Sequence, residues 1–106
     1  MADNAEQLPI VVEQQHDRML IRLGGELDAA TAPLLAETLR EANSEIIVDL
    51  ADLAFLDASG LGVLARASVR AERHGDHLSV VNANSLTREM FELTGLDHLL
   101  SASDLR

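Results

Sequence analysis

Hydrophobic positions along the chain change their period several times, and each change marks an element. Pro9 to Gln14 (P-I-V-V-E-Q) is a β-branched run, and Met19-Leu20-Ile21-Arg22-Leu23 is a second apolar run interrupted by Arg22. The polar segment Gln15-His16-Asp17-Arg18 between them makes the pair a hairpin. Gly24-Gly25 ends it, before Glu26-Leu27-Asp28. From Ala29 to Asn43 the spacing turns helical: Ala32, Leu35, Leu39 and Ala42 share one face, with Glu37, Arg40 and Glu41 off it. Asp28 or Thr31 suits the cap, and Pro33 is tolerated because it falls in the first turn. Ile46 to Leu50 reads as a buried strand. A connection with inward-looking Leu53, Phe55 and Leu56 then leads to the corner Asp57-Ala58-Ser59-Gly60.

A second helical pattern starts abruptly at that corner. Leu61, Leu64, Ala65 and Ser68 form one stripe with Val69 and Ala71 beside it, while Arg66, Arg70 and Arg73 lie along another face. His74-Gly75 is the stop. Leu78 to Asn82 is the next strand. Ser85 is expected to cap a third helix whose inner face carries Leu86, Met90 and Leu93, with Phe91 adjoining and Thr94-Gly95-Leu96 closing it. Asp97-His98-Leu99-Leu100 suits a short edge strand. Residues 1–8 read as a disordered lead-in and residues 9–106 as one domain. The order β-β-α-β-α-β-α-(β) implies a single α/β domain with a mixed four- to five-stranded sheet and helices packed on it.

Composition narrows the chemistry. A chain of 106 residues fits one domain with a single core, and 47% hydrophobic with 25% charged residues is ordinary for a globular protein. Two Phe without Trp or Tyr leave an aliphatic core and argue against base or sugar stacking. A net charge of −10 repels a phosphate backbone, which argues against direct nucleic-acid binding and favours partners with basic surfaces. All eight basic residues are Arg, which excludes lysine Schiff bases and a lysine-dependent phosphate loop. Without Cys there is no disulfide, thiolate catalysis or Cys-based zinc site. The polar, acidic N-terminus is the reverse of a signal peptide, and no apolar run approaches the ~18 residues of a membrane span. The expectation is a cytoplasmic protein without a membrane partner or a cofactor.

The candidate sites reduce to one. Gly60-Leu61-Gly62-Val63-Leu64-Ala65 matches a dinucleotide fingerprint, but the chain is about half a full Rossmann domain and the following strand ends in Asn82 rather than an acidic residue. Ser59 as a catalytic nucleophile needs a base, and His16, His74, His77 and His98 are scattered away from it. His74 and His77 straddle a turn with no third ligand nearby, and Asp49, Asp52 and Asp57 lack calcium-loop spacing, so all read as turn or surface residues. Ser59 at a helix mouth remains, where free N–H groups and the helix dipole favour negative charge. It suits either a cap or a phosphate acceptor. Gly60 and Gly62 lower helix stability by roughly 1 kcal/mol each, which is reasonable where another protein's surface approaches closely.

G-E-L-D-A-A-T-A (25–32), I-I-V-D-L-A-D-L-A-F-L-D-A-S-G-L-G-V-L (46–64) and F-E-L-T-G-L (91–96) together resemble the STAS family, and within it the bacterial anti-anti-sigma factors. The likeness runs from about Pro9 to Leu100. It implies a non-enzymatic anti-sigma factor antagonist that binds an anti-sigma factor with ATP-dependent serine kinase activity and so frees a sigma factor. It implies phosphorylation at Ser59, reversed by a PP2C-type phosphatase, and a partner surface including Asp28, Asp57, Ala58, Gly60, Leu61, Gly62 and Arg66. Many relatives carry a second hydroxyl where this chain has Ala58, and the family's C-terminal helix is expected to be shortened or missing. A scaffold subunit of a membrane transport assembly and a small-molecule sensing domain are the alternatives.

Overall fold

Turn chemistry sets the start of the sheet. In the computed structural model, which describes residues 8–101, β1 (Ile10–Gln15) and β2 (Arg18–Leu27) pair antiparallel across a His16–Asp17 turn. The Gln14 amide tightens that turn by donating to the Arg18 carbonyl at 3.0 Å. β3 (Glu45–Leu56) then pairs parallel with β2, and β4 (Leu78–Val81) parallel with β3, giving a four-stranded mixed sheet in the order β1-β2-β3-β4. The expected edge strand at the end of the chain reduces to a 3-10 turn, Asp97–Leu99, and one parallel bridge between Leu100 and Val80. It is fastened by the Ser101 N–H donating to the Val80 carbonyl at 2.8 Å.

β2 and β3 both run further than the sequence pattern suggests. β2 passes through Gly24-Gly25 to Leu27, and β3 continues through the expected connection to Leu56. Their pairing slips between Arg22 and Gly24 and again between Gly25 and Glu26. Such irregularities re-aim the side chains beyond them. Leu53 and Leu56 stay in the core, whereas Phe55, expected inside, is 50% exposed. Leu8, placed with the lead-in from sequence, is fully buried, and the Gly24 N–H donates to the Pro9 carbonyl beside it. The rest of that lead-in, and residues 102–106, lie outside the described residues.

Three α-helices follow the strands among the described residues: α1 (Ala32–Arg40), α2 (Ala58–Arg73) and α3 (Ser85–Leu93). α1 is shorter than the 29–43 pattern because residues 28–31 form a hydrogen-bonded turn instead. Asp28 Oδ1 accepts from the Ala30 and Thr31 N–H groups, and the buried Thr31 hydroxyl donates to the Glu26 carbonyl at 2.8 Å. Leu35 and Leu39 of α1 join Leu61, Leu64 and Ala67 of α2 and the sheet residues Ile21, Leu23, Val48 and Val80 in one core. The buried face of α2 includes Gly60, Val63, Ala67 and Ala71, while Val69, which the sequence places beside the inner stripe, is 49% exposed.

α3 departs most from expectation. Its cap is Asn84 rather than Ser85, with Asn84 Oδ1 accepting from the Thr87 N–H at 2.8 Å. Phe91 is fully buried and Met90 partly so, but Leu86 and Leu93 are 70% and 78% exposed. One helical step is about 100°, so a face centred on Phe91 turns the Leu86/Leu93 edge outward. Gly95 then takes a positive φ of 75°, and the Leu96 N–H reaches back to the Phe91 carbonyl at 2.7 Å to close the helix.

Candidate functional site: the mouth of α2

The corner is assembled where β2 and β3 end side by side. The Asp57 N–H donates to the Leu27 carbonyl at 3.1 Å, which ties the strand ends together and sets the Asp28 turn beside the β3–α2 junction. Asp57 has extended backbone and its Oδ1 accepts from the Ser59 N–H at 2.9 Å and the Gly60 N–H at 3.3 Å. Asp57 is therefore the cap of α2, and Ser59 stands one residue inside the helix. A carboxylate there satisfies two otherwise unpaired donors and complements the helix dipole. The consequence for Ser59 is direct: its half-buried hydroxyl has no capping duty, and among the described residues it forms no hydrogen bond.

The two glycines of the motif do different things. A Cβ on Gly60 would lie 2.6 Å from Leu27 Cγ and 2.7 Å from Leu56 Cδ1, so glycine there allows close packing of the helix mouth on the sheet. Its bareness serves the interior and not an approaching protein. Leu61 is likewise buried. Gly62 faces outward, where its nearest neighbour to a built Cβ is Arg66 Nη1 at 3.2 Å. Ser59, Ala58, Gly62 and Arg66 line an open groove of about 440 Å³ between α2 and α1, with Pro33 and Arg40 on the opposite wall.

Of the residues singled out from sequence, Ser59, Ala58, Gly62 and Arg66 thus meet in one groove, with Asp57 capping the helix at its end and Asp28 in the adjoining turn. Gly60 and Leu61 do not belong to that surface, because their side-chain positions face the core. Arg40 was legible only as a residue off the apolar face of α1, and the packing of α1 on α2 is what brings it to the wall of the groove that Ser59 also lines. Asp49 has a structural place: its Oδ1 accepts from the Ala51 N–H at 2.9 Å and from Asn82 Nδ2 at 3.0 Å, and Arg22 stands 3.9 Å from its other oxygen. Among the described residues no group of three His, Asp or Glu is placed to hold a metal ion, and no helix is long and apolar enough to cross a membrane.

A mixed sheet with helices over it and a serine in the first turn of the helix after its central parallel strand defines a small α/β domain of the STAS type. Residues 10–101 match the family described as Mlab, STAS domain, and the chain belongs to that family. It is 27% identical over 95 residues to the anti-sigma-B factor antagonist of Bacillus subtilis, a match covering 87% of each chain. Its structure resembles that of an anti-sigma factor antagonist from Mycobacterium paratuberculosis, with a TM-score of 0.75 and 27% identity over 90% of this chain and 86% of that one. The anti-sigma factor antagonist SpoIIAA in its unphosphorylated form has the same fold, with a TM-score of 0.76 and 23% identity over 87% of this chain and 85% of that one.

Proposed function

We propose that the chain is an anti-sigma factor antagonist whose docking surface is the mouth of α2 and the groove beside it. In its unmodified state it binds an anti-sigma factor that is also a serine kinase, and the sigma factor held by that protein is released. The kinase transfers the γ-phosphoryl group of ATP to Ser59: the hydroxyl oxygen bonds to phosphorus, ADP leaves, and the hydroxyl proton passes to a base of the kinase. A PP2C-type phosphatase restores the serine by hydrolysis, yielding inorganic phosphate. The chain is a substrate and a binding partner here, acting in the cytoplasm without catalysis of its own.

The observation that carries this reading is the free hydroxyl of Ser59. Asp57 already caps the helix, so a structural job for the serine is taken, and its oxygen opens on a groove. The shared naming of relatives over nearly the whole chain supports the partner class. Phosphorylation adds roughly −1.5 to −2 charges at pH 7. The helix dipole and the N-terminal amides accommodate that charge, so the fold survives. Beside Asp57 and Asp28 the phosphate adds bulk and a concentration of like charge that the docked partner was not shaped to meet. Incubation with candidate anti-sigma kinases and ATP, followed by intact mass and site mapping, is the test. One phosphate on Ser59 is expected; modification elsewhere, with Ser59 untouched, would overturn the assignment.

A further inference from the structure

The groove beside Ser59 is lined by two arginines, Arg66 from α2 and Arg40 from α1. Among the described residues neither is ion-paired, although the chain carries a net charge of −10. Arg66 lies seven residues beyond Ser59, two turns along the same face, and helical side chains lean back toward the N-terminus. Its Nη1 is 3.2 Å from the place a Gly62 Cβ would occupy. Gly62 is an i+3 neighbour of Ser59, a spacing that sets Cβ positions about 5–6 Å apart. The missing side chain at Gly62 therefore lets the guanidinium rest a single turn from the Ser59 oxygen. A phosphoryl group on that oxygen extends into the same space.

We infer that Arg66, with Arg40 facing it across the groove, is a built-in receptor for the phosphate on Ser59. The inference rests on the reading of Ser59 as the phosphorylated residue. Guanidinium groups bind phosphate through paired N–H donors, and the roughly −1.5 to −2 charges of the ester match two such cations. Phosphorylation then does two things at once. It places a bulky anion on the docking surface, and it occupies the two cations that an acidic segment of a partner would otherwise meet. The groups acting on the ester are few: Arg66, Arg40 and the first amides of α2 favour its dianion, while Asp57 and Asp28 oppose it.

The experiment needs no kinase. Phosphoserine is inserted at position 59 during translation, and its second ionisation is followed by phosphorus NMR in the parent, R66Q, R40Q and R73Q chains. Opposite charge nearby favours the dianion, so the parent midpoint should lie about half a pH unit or more below that of R66Q. R40Q should raise the midpoint in the same direction, and R73Q, an exposed change in the last turn of α2, should leave it where it is. Equal midpoints in the parent and R66Q chains would overturn the inference, and no shift in R40Q would remove Arg40 from the receptor. Because the phosphate is installed directly, failure of any anti-sigma kinase to modify Ser59 would count against the functional reading alone.

Discussion

Three residues at the mouth of α2 separate packing, capping and presentation. Gly60→Ala gains about 1 kcal/mol of helix propensity but forces a methyl to within 2.7 Å of Leu27 and Leu56, both buried. A net loss of about 1–3 kcal/mol is expected from the overlap, read as a lower urea midpoint. Gly62→Ala should go the other way. Its new methyl meets only the mobile end of the exposed Arg66 side chain, so up to about 1 kcal/mol of propensity is retained. Asp57→Ala leaves the Ser59 and Gly60 N–H groups without their acceptor and should lower stability by about 1 kcal/mol. If the two glycine variants shifted the midpoint equally, the division between an inner and an outer glycine would be wrong.

At the scale of elements, α3 is anchored chiefly by one fully buried side chain, Phe91, with Met90 partly buried beside it. Phe91→Ala should cost about 3–5 kcal/mol, whereas Leu86→Ala, at a position 70% exposed, should stay within about 0.5 kcal/mol. Thermal unfolding of the two variants distinguishes this arrangement from one in which Leu86 and Leu93 face inward. The sequence pattern favoured the latter, because Leu86, Met90 and Leu93 have good helical spacing and nothing local reveals that the sheet receives the ring of Phe91. Strand and helix alternation was legible from β1 to α3, and so was the position of the Ser59 corner. Caps shifted by a residue or two for an identifiable reason: Asp57 and Asn84 accept hydrogen bonds two and three residues ahead, which takes the role that the serines next along could have filled. The extension of β3 to Leu56 depends on pairing with β2 across an irregular register, a long-range event that periodicity within β3 does not record.

Across the whole molecule, charge and fold are separable. The chain is strongly acidic, yet Arg40, Arg66 and Arg70 line a furrow that runs from the Ser59 groove along the α1–α2 seam. Its far end widens to a recess of about 460 Å³ between the helix C-termini, beside His74. Ser59 is not among the buried core residues, although Ala32 and Val63 of that core reach the groove wall, so changing the charge at Ser59 displaces no packed side chain. Ser59→Asp should accordingly change stability by no more than about 0.5 kcal/mol while weakening partner binding. The measurement that reaches the central claim most directly is calorimetric titration of the anti-sigma factor kinase with the chain before and after phosphorylation at Ser59. Unmodified chain and Ser59→Ala should bind alike, and the phosphorylated chain should lose roughly a hundredfold or more in affinity with its unfolding midpoint unchanged. Equal affinity of the phosphorylated and unphosphorylated chains would contradict the account.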